Sequence, residues 1–114
     1  MALIVHKYGG TSVADLDRIS AVADRVVREK EKGNSLIVVV SAQSGMTDKL
    51  IGMAKEITDD PQGREYDMLV SVGEQISASL LAIKIQTLGH KAIALNGAQV
   101  GILTDSSHTH ARIL

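Results

Sequence analysis

A chain of 114 residues with 45% apolar content can bury one small core, and its 2% aromatic content leaves that core to Val, Ile, Leu, Met and Ala. Its 12 basic and 13 acidic residues are interspersed and net −1, which supplies no electrostatic footprint for nucleic acid or an anionic membrane as partner. The lack of cysteine excludes disulfides and cysteine-ligated zinc, and the N-terminus has no signal-peptide pattern, so a cytoplasmic protein is expected.

Residues 2–6 (ALIVH) are a short apolar run that stops before Gly9-Gly10, and a first strand is predicted there. From Val13 apolar residues recur at 13, 16, 19, 22, 23, 26 and 27, the spacing of a helix over roughly 13–32. Ser12 with Asp15 resembles a capping box, and Gly33 suits a C-terminal stop. SLIVVV at 35–40 is apolar on both faces, as expected of a strand inside a parallel sheet covered by helices. Its LIVVV run is far too short to cross a bilayer.

After the loop SAQSGMTD, apolar residues at 50, 51, 54 and 57 predict a second helix with Thr47 as N-cap. DDPQG at 59–63 is a loop. A longer helix follows, with Met68, Val72, Ile76, Leu80 and Ile83 on its core side and Leu88-Gly89 at its end. KAIAL at 91–95 and VGIL at 100–103 are further strand candidates. The order β-α-β-α-α-β-β predicts a layered α/β fold with a mainly parallel sheet, in one domain over 1–114. The chain stops at HARIL without a closing element, so the sheet is expected to be incomplete at its C-terminal end. Such an uncovered edge favours a homo-oligomer or another association.

Three segments carry candidate chemistry. KYGGTS, Lys7 to Ser12, lies between strand and helix, where unpaired N–H groups and glycine backbone can approach an anion. Lys7 adds a positive charge, and Thr11 and Ser12 add hydroxyls. The same residues also read as a plain turn with Ser12 as a cap. The lysine precedes the glycines, unlike a P-loop, and no G-x-G-x-x-G occurs.

SAQSGMTD at 41–48 follows the second strand at the carboxyl end, where open α/β sheets bind ligands. Ser41, Ser44 and Thr47 surround Gly45 and suit a carboxylate, or form a solvated loop ahead of a helix. In SVGE at 71–74, Gly73 costs a helix about 1 kcal/mol relative to Ala and points to close approach of another backbone or a ligand. Glu74 beside it could accept bonds from an ammonium group or be a surface carboxylate. His108 and His110 lack a third metal ligand and read as loop residues; His6 is expected to pack or line the site, and His90 to be exposed.

Together these segments resemble the aspartate kinases of the amino acid kinase family. KYGGTSVAD is similar to their K-[FY]-G-G-T-S-V signature, VVSAQSGMTDKL to V-S-A-x-x-G-x-T-[DN]-x-L, and VSVGEQIS to S-x-G-E. QVGILTDSSHTHARIL resembles the stretch that follows. The resemblance implies a three-layer αβα sandwich and phosphorylation of the side-chain carboxylate of L-aspartate by ATP with Mg2+, giving 4-phospho-L-aspartate for lysine, threonine and methionine biosynthesis. It implies that Lys7 is catalytic and bridges ATP phosphates, with Gly9, Gly10, Thr11 and Ser12 lining the phosphate pocket. Ser41 and Thr47 would bind an aspartate carboxylate, and Glu74 its ammonium group; no protein metal ligand is implied.

The family's later G-R-G-G-S-D and T-D-V-D-G-[IV]-Y segments and its ACT regulatory domains are not in these 114 residues, so the chain alone is expected to be inactive. Two alternatives stand beside this reading. One is another amino acid kinase with a different carboxylate acceptor; the other is a non-catalytic binding module.

Overall fold

The computed structural model describes residues 1–101. Its elements are β1 (Leu3–Tyr8), a 3-10 turn (Gly10–Val13), α1 (Leu16–Glu31), β2 (Ser35–Val40), α2 (Met46–Ile57) and α3 (Arg64–Thr87). β1 and β2 pair in parallel from Leu3 opposite Ser35 to Tyr8 opposite Val40, with α1 as the crossover. This matches the expected βαβ opening, with β1 running two residues further than the apolar run, through Lys7.

Strand alternation divides the sheet into two unlike faces. Ile4, His6, Tyr8, Leu36, Val38 and Val40 turn toward α1 and α3 and are buried or half-buried. The core there joins Tyr8, Val13, Ile19, Val22, Ala23, Val26, Leu81 and Ile85. His6 is the polar member of this face; it bonds through Nδ1 to the Tyr8 hydroxyl at 3.1 Å, with the two rings edge to face. The opposite face is open: Leu3, Val5, Ile37 and Val39 are all exposed. The apolar run of β2 therefore has helices on one side only among the described residues, which build the sheet and one helical layer of an αβα sandwich.

Several local expectations are corrected. The N-cap of α1 is Asp15, whose Oδ1 accepts from the Arg18 N–H at 2.8 Å, while Ser12 lies inside the 3-10 turn. The N-cap of α2 is Gly45 in the left-handed region at φ 82°, which places Thr47 second in the helix. The buried face of α3 carries Gly73, Ser77, Leu81 and Ile85, whereas Met68, Val72 and Ile83 are exposed. The two smallest of these buried side chains let α3 approach its neighbours closely, so the helix turns them inward in place of the bulkier stripe. Residues 91–95 form no strand: the Ala92 carbonyl accepts from the Gln86 side chain at 3.0 Å, and a groove of about 480 Å³ is lined by this segment together with β2, α1 and α3. Of the other strand candidate, Val100 and Gly101 lie in a turn, and residues 102–103 are outside the described residues, as are His108 and His110.

By length and hydropathy alone α3 would suit a membrane span, but Gly73, Ser77, Leu81 and Ile85 are buried against the rest of the fold. Ser77 is fully buried and donates to the Gly73 carbonyl. His90 is half-buried rather than exposed, with Nε2 3.5 Å from Glu31 Oε1. At the end of α1 the Glu29 carboxyl is held below its usual range by the hydrogen bond from Lys32.

The Asp15 cap gives one stability prediction. Asp15→Ala leaves the Arg18 N–H without its acceptor and is expected to cost about 1 kcal/mol, read by chemical denaturation. Ser12→Ala, at the position first expected to cap, is expected to change stability by less than about 0.5 kcal/mol.

Candidate functional site

The three sequence segments meet at one corner, the carboxyl end of the β1–β2 pair. Tyr8 stands opposite Val40 at the last rung, and the Ser41 N–H donates to the Tyr8 carbonyl at 3.1 Å, carrying the ladder into the loops. One turn later the Ser44 N–H donates to the Gly10 carbonyl, also at 3.1 Å. The KYGGTS and SAQSG loops are therefore stitched together by backbone.

Gly10 is needed for this closeness. A Cβ on it would lie 2.6 Å from the Ala42 carbonyl oxygen and 3.2 Å from the Ser44 nitrogen. Gly73 brings in α3 in the same manner: a Cβ there would lie 2.7 Å from the Ala42 Cβ. The close approach expected at Gly73 is thus met, by the 41–46 loop. Ala42, itself buried, is in contact with both glycines.

Around this corner the individual side chains are placed as follows. Lys7 is the last β1 residue on the open sheet face, exposed and opposite Val39. Gly9 is extended and exposed, with open space around it. Thr11 and Ser12 are exposed in the 3-10 turn, whose bonds run from the Ser12 N–H to the Gly9 carbonyl and from the Ala14 N–H to the Thr11 carbonyl. Asp15 closes the N-terminus of α1, so the N–H groups next to the glycines are those of this short turn.

Ser41 and Thr47 are half-buried, and Glu74 is exposed directly after Gly73. Among the described residues no hydrogen bond or ion pair joins the side chains of Lys7, Ser41, Thr47 and Glu74 to one another, and no three His, Asp or Glu side chains converge on a metal position. Segments and backbones are brought together, then, while the polar side chains stay unengaged around them.

Two contributors were not read from the sequence. Arg18 reaches back from α1, donating through Nη1 to the Thr11 carbonyl at 2.8 Å with its Nε 3.8 Å from Asp15 Oδ2, and so braces the glycine turn. The i, i+3 spacing of Asp15 and Arg18 was the available signal. Ala42 had none, since an alanine in a polar loop carries no chemistry of its own.

A parallel βαβ opening with a lysine and a glycine turn at the carboxyl end of the sheet defines a class, and the sequence agrees with it: residues 2–113 match the Amino acid kinase family, and the chain belongs to that family. Within it, the chain is 50% identical over 114 residues to an aspartokinase of Geobacillus stearothermophilus and 53% identical over 114 residues to an aspartate kinase of Pseudomonas putida. All of this chain is covered in both comparisons, and it spans 28% of the length of either relative. The crystal structure of aspartate kinase from Synechocystis superposes with a TM-score of 0.81 at 52% identity, over 85% of this chain and 17% of that one.

Proposed function

We propose that residues 1–114 form part of a single kinase domain that phosphorylates the side-chain carboxylate of L-aspartate with MgATP, in the cytoplasm, giving 4-phospho-L-aspartate and ADP. A carboxylate oxygen attacks the γ-phosphorus, and an O–P bond forms as the bond from phosphorus to the β,γ-bridging oxygen breaks. The attacking carboxylate is already ionised at neutral pH, so the reaction asks for positioning and charge stabilisation more than for a protein base. Mg2+ enters as part of the nucleotide substrate.

In this reading Lys7 stabilises the charge on the transferring group from the end of β1. Gly9 and Gly10 admit phosphate close to the backbone, with Thr11 and Ser12 as hydroxyl donors. Ser41 and Thr47 take an aspartate carboxylate, and Glu74 takes the ammonium group. The observation that supports this most is the convergence of all three segments on Ala42, which sets a cation-bearing glycine turn beside a hydroxyl-rich loop and a carboxylate.

The test is a chimera in which this chain replaces the matching 114 residues of the G. stearothermophilus aspartokinase. With MgATP and hydroxylamine it is expected to form hydroxamate from aspartate and not from glutamate, while the isolated chain forms none. A folded chimera without aspartyl hydroxamate overturns the assignment, and activity on glutamate alone points to a kinase with another acceptor. A second reading, a non-catalytic module, draws on the open apolar face of Leu3, Val5, Ile37 and Val39. It is favoured only if the isolated chain co-elutes with a full-length relative while the chimera is inert.

A further inference from the structure

The contact of two glycines with one alanine has a consequence beyond tight packing. Ala42 presents its carbonyl oxygen to Gly10 and its Cβ to Gly73, so one small residue separates the glycine turn from α3. We propose that Ala42 is a spacer whose size, matched to the missing side chain at Gly73, sets the distance between the KYGGTS turn and Glu74. Gly73 and Ala42 are therefore positioning residues for the acceptor. This deepens the aspartate kinase reading and rests on it.

The geometry makes Gly73 unlike an ordinary helix glycine. Alanine normally stabilises a helix interior relative to glycine, so a Gly→Ala change should raise stability where there is room. At position 73 the added Cβ meets the Ala42 Cβ at 2.7 Å and the Met46 Cγ at 3.3 Å. Met46 can move its flexible side chain. The Ala42 Cβ is tied to the backbone that bonds the glycine turn through Ser44, so relief requires α3 to shift, and Glu74 shifts with it. The Ala42 Cα lies at 3.7 Å, ordinary contact distance, so removing the Ala42 Cβ alone makes room for a side chain at 73.

The experiment is a double-mutant cycle in the chimera. Gly73→Ala is expected to raise the KM for aspartate about 10- to 100-fold, with the KM for ATP changed less than about twofold, because displacement of a substrate-orienting group by about an ångström costs on that scale. Adding Ala42→Gly is expected to restore the aspartate KM to within about threefold, since contacting sites are non-additive. Melting temperature gives an independent reading: it falls for Gly73→Ala and recovers in the double variant. A helix weakened without any spacing role would leave the aspartate KM in place, and the Ala42→Gly change would then deepen the loss.

Additive effects on both KM and melting temperature overturn the proposal. If the unmodified chimera folds but makes no hydroxamate, the aspartate reading fails separately. The acceptor-positioning role falls with it, and the melting-temperature cycle then decides the steric contact between Ala42 and Gly73 alone, where additivity overturns it and recovery supports it.

Discussion

Lys7→Ala in the chimera is expected to lower kcat with aspartate about 1,000-fold while leaving the melting curve in place. Removing one preorganised electrostatic contact to a transition state costs about 100- to 1,000-fold, and Lys7 in this reading carries a full charge in place of a neutral donor. Stability should not move by more than about 0.5 kcal/mol, because the side chain is exposed and no hydrogen bond or ion pair within the described residues depends on it. Steady-state kinetics beside a thermal melt separates the two. A loss under about threefold would remove Lys7 from the transition state and return KYGGTS to a turn with a lysine next to it.

The adjacent glycines should differ in what a methyl group costs in stability. Gly10→Ala drives a methyl group to 2.6 Å from the Ala42 carbonyl oxygen, where only backbone can yield. Relief means parting the loops that the Ser44–Gly10 bond holds together, at an expected cost of about 1–3 kcal/mol, as for other overpacked sites. Gly9→Ala meets nothing within 4 Å, and its φ of −76° suits any residue. Its stability is expected to stay within about 0.5 kcal/mol of the parent. If the proposed phosphate role holds, activity falls for both, since a methyl group at position 9 would then stand where phosphate approaches the backbone. Denaturant midpoints for the two variants give the contrast directly; equal midpoints would mean that the loops part without cost.

How much of this was legible beforehand varied by element. α1 announced itself through apolar positions at helical spacing, six of which lie in the helix while Val13 falls in the 3-10 turn before it, and β2 through an unbroken apolar run, although the helices expected on both of its faces cover one among the described residues. The site segments were legible together, through their resemblance to the aspartate kinase signatures, since each taken singly also reads as a turn, a solvated loop or a surface carboxylate. Even the close approach at Gly73 could be read, because a mid-helix glycine otherwise only costs stability.

What failed were statements about partners. The stripe through Met68 and Val72 is the more hydrophobic side of α3, yet the helix buries Gly73 and Ser77, since close approach to the Ala42 loop rewards small size there. Asp15 displaced Ser12 as the cap once the 3-10 turn had used Gly10 to Val13. Residues 91–95 had a strand's composition and found no ladder. Composition and spacing along a chain record which residues leave water and which turns are permitted. Which face of α3 turns inward, and that Ala42 stands between two glycines, depends on surfaces that meet only after chain closure, when steric fit outweighs local preference.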